Sequence, residues 1–484
     1  MLFASAELHP FVKTGGLADV SAALPPALRA EGADVRLLIP GYPALMKGVV
    51  GKRVVARLPY AFGDGEVRLC SATLADSDVP VYLIDYAPLY DRGGGAYADE
   101  KGNEWPDNVW RFALLSLVAA TLASEASPLK WRPHILHCND WHSALAPAYL
   151  RYAPGQKSAV VTTIHNLAYQ GNFPPQLAAP LGLPASSFSM HGVEFYGNLS
   201  FLKAGLFYAD RITTVSPTHA REIQSASLGF GMQGLLTARA AYLTGILNGI
   251  DTEQWNPSTD PYIARNYRAS TLQDKSANKR ALQRALELEV APQKPLLGVI
   301  SRFAYQKGLD TLLAVAPAII RLPAQLVVLG SGDAQLEQAF KTLERDFPGQ
   351  VGVRLDFDEP LSHLVTAGAD GSIMPSRYEP CGLNQMYAQR YASLPVVRAT
   401  GGLADSVIDA SPGALAAGRG SGFAYTGNGD AALFACVQRA LNIYRDRDTW
   451  RRLQKNAMAM DFSWGRSARG YCAVYEAALA GPGA

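Results

Sequence analysis

Thr14-Gly15-Gly16-Leu17-Ala18-Asp19 recurs, residue for residue, as Thr400-Gly401-Gly402-Leu403-Ala404-Asp405. Each copy follows a short apolar segment of strand character, Leu2–Ala4 before the first and Pro395–Val397 before the second, and each leads into a helical pattern. A glycine pair lets the backbone turn sharply between a strand and a helix. The repeat therefore predicts the same strand–loop–helix unit in both halves of an α/β chain.

The two copies have two interpretations. Backbone amides at a glycine turn, together with the positive end of the following helix, suit phosphate or sugar oxygens. The other interpretation is a tight turn without a ligand. Lys13 precedes the first copy and favours binding there, whereas Ala399 precedes the second. The two loops are therefore expected to differ in function.

Strand-like runs alternate with helical runs along the whole chain, which predicts mostly parallel sheets covered by helices. Val109–Ala126 and Ser143–Tyr152 are two of the predicted helices, and turn-rich residues 245–260 form a predicted hinge. We expect two doubly wound Rossmann-like domains, residues 1–243 and 244–484, facing a central cleft. The predicted strands are Val35–Ile39, Val79–Ile84, Ile135–Cys138, Val160–Ile164, Arg211–Val215, Leu296–Ile300, Leu326–Leu329, Val351–Leu355, Gly371–Met374 and Pro395–Val397.

The composition of the chain argues against some classes of binding partner. The 484 residues carry a formal net charge of only +2 and have no block of lysine and arginine, so neither nucleic acid nor an anionic membrane is expected to bind. No secretory signal or membrane span is recognised. Five widely spaced cysteines indicate reduced thiols in a cytoplasmic protein. Asp356 and Asp358 form an isolated acidic pair, so no metal site is predicted.

Polar residues gather where the predicted strands end, which is the edge of a parallel sheet that carries ligands. Arg302 and Lys307 are the most informative pair, because two cations on one loop suit a diphosphate; two solvated surface cations are the alternative. A charge pair at about 4 Å is worth on the order of 4 kcal/mol at a dielectric of about 20, against about 0.3 to 1 kcal/mol for a helix end. The other polar groups are Lys13, Asp140-Trp141-His142, His165-Asn166 and Ser376–Leu383.

Several motifs together resemble the bacterial glycogen synthases and the related starch synthases. The resemblance extends from Leu2 to Phe462-Ser463-Trp464 and Tyr471, with the motifs in the family's order. They are Lys13–Leu17, His137–His142, Thr163–Gly171, Ser301–Gly308, Pro375–Leu383 and Thr400–Asp405.

The resemblance implies a GT-B glycosyltransferase fold and retaining transfer of glucose from ADP-glucose to the non-reducing 4-hydroxyl of an α-1,4-glucan such as glycogen. No metal and no other cofactor is implied, and the last helix, about 462–480, is expected to return to the first domain. By motif, the implied donor-phosphate ligands are Lys13, Arg302 and Lys307, with backbone contacts from Gly15, Gly16, Cys381, Gly382 and Leu383. Glu379, His165, Asp140 and Asn248 would surround the donor glucose, Asp19, Phe357 and Thr400 belong to the donor site, and Tyr97 and Trp141 are candidates for glucan contact.

Alternatives remain open at this stage. UDP-glucose is a second possible donor, a glucan phosphorylase with pyridoxal phosphate shares the architecture, and a non-catalytic glucan-binding protein is the hypothesis from another class. Retention is compatible with same-face attack or with double displacement. Phe357 stands where the family often has Tyr, and Asn384 where it often has Thr. The family usually has residues ahead of the first strand, which raises the hypothesis of a late start. No feature selects an oligomeric state.

Overall fold

The computed structural model describes residues 1–75, 77–356, 358–427 and 429–481, which divide into two units. The first unit contains Met1–Gly249 and the final helix from Trp464, and the second contains Ile250–Ser463. Each unit is built on its own largely or wholly parallel sheet. The predicted α/β class with two doubly wound halves is confirmed.

The first unit contains, in chain order, strands and helices with the following bounds. They are β1 (Leu2–Ala4), α1 (Gly16–Ala30), β2 (Arg36–Pro40), α2 (Pro43–Gly48), β3 (Val50–Pro59), β4 (Glu66–Thr73), β5 (Pro80–Asp85), α3 (Ala87–Tyr90), α4 (Asn108–Leu122), β6 (Ile135–Asn139), α5 (Asp140–Ser143), α6 (Ala146–Tyr152), β7 (Ala159–Ile164), β8 (Asn172–Phe173), β9 (Glu194–Phe195), β10 (Asn198–Ser200), α7 (Phe201–Tyr208), β11 (Arg211–Thr214), α8 (Pro217–Glu222), α9 (Gln233–Ala238) and β12 (Leu243–Gly245).

The main sheet of this unit has the order β12-β11-β7-β6-β1-β2-β5-β4-β3. Its pairs are parallel except that β4 runs antiparallel to β3 and β5. Strand β1, whose three side chains are fully buried, pairs with β2 on one side and β6 on the other. The chain leaves β1 in one direction towards β2 and later resumes on the other side at β6, so β1 and β6 flank a topological switch point, where such sheets bind ligands.

Three parts of this unit differ from the sequence prediction. The β3–β4 hairpin and a small antiparallel sheet, β8-β10-β9, were not anticipated, because the strand–helix alternation does not signal antiparallel additions. The predicted single helix Ser143–Tyr152 is instead two helices, α5 and α6. Pro147 stands in the first turn of α6, where its missing N–H costs nothing, and so favours a new helix start.

The second unit continues the series, and the final helix α19 follows it. The elements are α10 (Lys275–Ala285), β13 (Leu296–Ile300), α11 (Leu309–Arg321), β14 (Gln325–Leu329), α12 (Ala334–Asp346), β15 (Val351–Arg354), α13 (Glu359–Gly368), β16 (Gly371–Met374), α14 (Asn384–Arg390), β17 (Leu394–Arg398), α15 (Gly401–Ser406), α16 (Pro412–Ala416), β18 (Phe423–Tyr425), α17 (Asp430–Arg445), α18 (Arg447–Met458) and α19 (Trp464–Leu479).

The sheet of the second unit has the order β15-β14-β13-β16-β17-β18, with every described pair parallel. Strands β13 and β16 are neighbours although the chain visits β14 and β15 between them. The switch point of this sheet therefore lies between β13 and β16, and the loops that leave these two strands meet at its carboxyl edge.

The division between the units lies at Gly249, inside the turn-rich segment and beyond the predicted boundary at residue 243. Helix α19 packs in the first unit, where the Tyr475 hydroxyl and His137 Nδ1 are 2.9 Å apart and Ser467 Oγ donates to the Leu247 carbonyl at 2.6 Å. His137 is fully buried, and burial lowers the pKa of its imidazole to about 3. A neutral ring therefore anchors the returning helix.

Substitutions of Tyr475 should destabilise the first unit, and the loss of stability should depend on how much of the side chain is removed. Tyr475→Phe leaves a buried ring nitrogen without its partner and should cost about 1 kcal/mol, whereas Tyr475→Ala also empties the space of a buried ring and should cost roughly 3 to 5 kcal/mol. Urea unfolding measures both. Tyr152→Phe is the control, since it removes the hydroxyl of a 42% exposed tyrosine; an equal effect of the Phe variants at 152 and 475 would contradict the anchor.

Candidate functional site

The loops after β13 and β16 bring three of the predicted residues into one group in the second unit. Lys307 follows β13 and Glu379 follows β16, and their Nζ and Oε2 atoms are 2.6 Å apart. Ser376 Oγ donates to the same carboxylate oxygen at 3.0 Å. Glu379 is only 5% exposed, so the ammonium and the hydroxyl offset the cost of burying its charge.

A cavity of ≈ 180 Å³ opens beside this ion pair. Arg302, Lys307 and Ser376 contribute to its wall, together with Asn384, whose amide donates to the Ile300 carbonyl at 2.7 Å. Arg302 itself is exposed. Two cations and a hydroxyl on the wall of one small cavity, with a carboxylate bound to one of those cations, are suited to a ligand that carries both phosphate and hydroxyl groups.

The second copy of the repeat supports this group through its backbone. The amide of Gly402 donates to the Glu379 carbonyl at 3.1 Å. Gly401 has φ +43, and a Cβ there would lie 1.9 Å from the same carbonyl oxygen, so only glycine fits between the two loops. Thr400, the N-cap residue of α15, is buried. The copy at 400–405 therefore holds the Glu379 loop in place.

The segment after Glu379 leads into a helix. Cys381 is buried and reduced, and its carbonyl accepts a hydrogen bond from the Gln385 amide at 3.1 Å. Gly382 has φ +70 and its carbonyl accepts from the same amide at 3.0 Å. Leu383 is the N-cap residue of α14. The predicted backbone ligands thus form the turn between the buried glutamate and this helix.

In the first unit, the first copy of the repeat is held by a carboxylate that the sequence analysis did not single out. Glu7 Oε2 accepts hydrogen bonds from the amides of Thr14 at 2.8 Å and Gly15 at 3.1 Å, and Glu7 Oε1 accepts one from the Tyr97 hydroxyl at 2.5 Å. Burial raises the pKa of this carboxyl, and the three donors oppose that shift. The Gly15 amide is thus already engaged, while the α-carbon of Gly16 faces open space.

Lys13 and Asp19 flank the same loop and form an ion pair, with Nζ and Oδ1 2.7 Å apart. The lysine side chain remains 41% exposed, so its ammonium is accessible to an anionic ligand at a modest cost. The first copy therefore differs from the second, because its glycines line open space beside a cation instead of packing against another loop.

Asp140 and His165 are joined at the ends of β6 and β7. The Asp140 carboxylate accepts from the amides of His165 at 2.8 Å and Asn166 at 3.3 Å. Burial raises the pKa of Asp140 to about 7 and lowers that of His165 to about 3. Asn139 turns its amide nitrogen to the Ala4 carbonyl, which leaves its oxygen 3.0 Å from His165 Nε2. His165 is therefore a neutral hydrogen-bonding group, not a counterion for phosphate.

Asn248 lies at the end of the first unit and is 6% exposed. Within the described part of the chain, its side-chain oxygen is buried and has no hydrogen-bond partner. Since a buried polar atom without a partner costs about 1 to 3 kcal/mol, this orphaned acceptor is suited to a ligand hydroxyl.

The two predicted glucan-contacting aromatics are largely committed to packing. Tyr97 stacks on His142 with ring centroids 4.5 Å apart, and its hydroxyl is bound to Glu7. Trp141 packs edge-on against Phe112 with centroids 4.9 Å apart. Both residues are only partly exposed, so their contact with a glucan stays a prediction.

The remaining predictions concern Phe357, metals and membranes. Phe357 lies outside the described residues. Among the residues that are described, no group of three or more His, Cys, Asp or Glu side chains is arranged to hold a metal ion. None of the described helices combines the length and apolar character needed to cross a bilayer.

Comparison with known proteins identifies relatives over the whole chain. A family model described as the starch synthase catalytic domain matches residues 1–238, and one described as glycosyl transferases group 1 matches residues 286–456. The glycogen synthase of Nitrosomonas eutropha is 53% identical over 479 residues, covering 98% of this chain and 95% of the relative.

Solved structures agree on the fold. The catalytic domain of starch synthase IV from Arabidopsis thaliana, bound to ADP and acarbose, superposes with a TM-score of 0.87 and 31% identity, covering 99% of each chain. Sucrose-phosphate synthase from Thermosynechococcus elongatus reaches a TM-score of 0.59 at 18% identity over 98% of each chain, which supports the fold alone. Both are glycosyltransferases of the predicted GT-B fold.

The pKa of Asp140 gives a pH-dependent prediction for stability. Because the folded-state pKa of about 7 lies above the ordinary value of 3.8, stability associated with the protonated acid is present below pH 4 and is lost as the pH rises towards 7. Asp140→Asn keeps an acceptor oxygen and carries no charge. Relative to wild type, this variant should gain roughly 2 to 4 kcal/mol between pH 4 and 8, measured by urea unfolding; a constant difference across that range would contradict the shift.

Proposed function

The chain belongs to the glycogen synthase and starch synthase family of glycosyltransferases, and on that basis we propose that it transfers glucose from ADP-glucose to the non-reducing 4-hydroxyl of an α-1,4-glucan, with retention at the anomeric carbon. The observation that carries the proposal is the ion pair between the half-buried Lys307 and the buried Glu379, 2.6 Å apart, beside Arg302. ADP in the starch synthase IV structure supports the choice of nucleotide. The five cysteines, all of them reduced, support a cytoplasmic location.

The cations act on the leaving group. When the bond between glucose and ADP breaks, negative charge grows on the diphosphate, and preorganised donors at that position stabilise the transition state more than the ground state. Lys307 supplies a point charge and Arg302 a planar fork with several donors. Lys13, exposed beside the first glycine loop, is the third proposed phosphate ligand.

Glu379 is proposed to hold the donor glucose. Its Oε2 already accepts from Lys307 and Ser376, so Oε1 is the atom assigned to a sugar hydroxyl. His165, with its pKa lowered to about 3 by burial, supplies a neutral hydrogen bond, and the buried oxygen of Asn248 accepts one. Asp140 acts through His165, since its carboxylate binds the amide of that residue.

Retention is proposed to follow from attack on the face that the diphosphate leaves. The acceptor 4-hydroxyl forms the new bond to the anomeric carbon as the bond to the diphosphate breaks, and its proton passes to the departing phosphate oxygen. The alternative, double displacement, requires a carboxylate nucleophile. Engagement of Glu379 Oε2 by a lysine and a serine lowers its nucleophilicity and supports the same-face route.

The reaction is tested by supplying ¹⁴C-labelled ADP-glucose with glycogen and counting label in the washed polymer. We expect incorporation that stops when unlabelled ADP-glucose is added in excess, and less incorporation from UDP-glucose at equal concentration. Digestion of the product with an amylase specific for α-1,4 linkages should release the label as small sugars. Absence of label in glycogen with correctly folded protein would contradict the proposed function.

Lys307→Ala should reduce kcat/KM by about 10²- to 10³-fold, as expected when a preorganised donor to a leaving group is removed. Lys294→Ala is a matched control, because Lys294 also forms a 2.6 Å ion pair, with Glu289, but stands ahead of β13 at the opposite edge of the same sheet. The control should keep its activity. Equal losses in the two variants would show that a general effect of charge, not the site, is responsible.

A further inference from the structure

The tip of the β9–β10 hairpin carries a tyrosine in an unfavourable backbone conformation. Tyr196 and Gly197 form the two-residue turn, with φ +46 and +81. Turns with two positive φ values favour Asn-Gly, since a bulky side chain is strained in the left-handed region. Tyrosine at the first position therefore contradicts the local rule for this hairpin.

Packing does not compensate for this strain. Tyr196 is 76% exposed, so its ring buries little apolar surface. Its neighbour Phe195 is the residue that anchors the hairpin, packing against a core cluster that includes Ile164 and Leu167. Strained residues that contribute little to the core are typical of functional positions.

The ring of Tyr196 is nevertheless held in one position. Phe195 packs against it edge-to-face, with centroids 4.7 Å apart and planes at 78°. Gly231 lies beside both rings, and a Cβ added there would be 3.0 Å from Phe195 Cζ and from Tyr196 Cε2. Gly231 also has φ +86, so a side chain is excluded for two reasons and the backbone supports the ring.

Hydrogen bonds from a buried lysine hold the loop that carries the tip. Lys203 is 7% exposed, and its ammonium donates to the carbonyls of Met190, at 2.9 Å, and Glu194. The carboxylate of Glu194 in turn accepts from the Gly197 amide at 2.7 Å. A buried cation and a capped turn make the tip rigid, and a rigid surface loses little conformational entropy on binding.

Besides the Glu194 carboxylate, which caps the turn, the polar side chains beside the tip include two amides. Asn198 donates to the Tyr196 carbonyl at 3.4 Å, and Gln170 donates to the Phe230 carbonyl, next to Gly231, at 2.9 Å. Gln170 belongs to the loop that begins with His165, so the tip is continuous with the candidate site of this unit. An exposed aromatic ring flanked by amides suits a neutral polyhydroxylated ligand, whose C–H face covers the ring while its hydroxyls bind the amides.

We propose that the Tyr196 tip is a stacking subsite for an α-1,4-glucan chain, which binds glucose units of the acceptor other than the one that is elongated. This assignment rests on the proposed function for the identity of the ligand. The subsite increases the affinity of the first unit for a long acceptor. It does not change the affinity for short oligosaccharides, because they do not reach the tip.

Tyr196→Asn separates a binding role from a structural one. Asparagine suits the turn, so the variant should melt at the same temperature as wild type or higher. Its affinity for glycogen should fall by about three- to tenfold, the loss expected for one aromatic contact. Electrophoresis in native gels that contain glycogen, without any donor, measures this affinity, and Tyr196→Phe should retain it because the ring is kept.

The matched control is Tyr262→Asn, which removes a 46% exposed tyrosine from the second unit and should leave glycogen retardation unchanged. In transfer assays the loss in Tyr196→Asn should appear in KM for glycogen and not in KM for ADP-glucose. Equal glycogen affinity of wild type and Tyr196→Asn would overturn the subsite, as would a wild-type protein that glycogen does not retard. Failure of the proposed function is a different result, namely no transfer by wild type.

Discussion

Parallel pairing of β13 with β16 is the constraint on which the candidate site of the second unit depends. Because neighbouring parallel strands end at the same edge, the loops that leave them meet even though Lys307 and Glu379 are far apart in the sequence. The 2.6 Å ion pair is the direct result. Strands β1 and β6 impose the same geometry on the first unit, where Lys13 follows β1 and Asp140 follows β6.

Each unit buries carboxylates at this edge, and each carboxylate is stabilised in its own way. Glu379 has a cation and a hydroxyl, whereas Glu7 has two backbone amides and a phenol. Among the described residues, the hydrogen-bond donors to Asp140 are two amides and no cation, and burial raises the pKa of its carboxyl to about 7. The contrast agrees with the roles proposed for these residues, since a cation beside Glu379 is also suited to a departing phosphate, while the other two carboxylates bind the amides of loops.

The repeated hexapeptide predicted the two α/β halves, and strand-end reasoning placed Lys307 and Glu379 at a common edge. The different contacts of the two copies could not be predicted, because they depend on partners outside the repeat: Glu7 for the first copy and the Glu379 carbonyl for the second. Glu7 was missed because its three donors come from positions up to 90 residues away. The strained turn at Tyr196 could not be predicted either, since a Tyr-Gly pair does not indicate a positive φ at the tyrosine.

We propose that Lys307 binds a donor phosphate and that Glu379 binds the donor sugar, and calorimetric titration of ADP distinguishes these two roles. Lys307→Ala should weaken ADP binding by about tenfold or more, the usual cost of losing a charge-assisted hydrogen bond. Glu379→Gln should bind ADP at least as tightly as wild type, because Lys307 is then no longer shared with a carboxylate, although transfer of glucose is lost. Wild-type affinity for ADP in Lys307→Ala would contradict the role of Lys307 as a phosphate ligand.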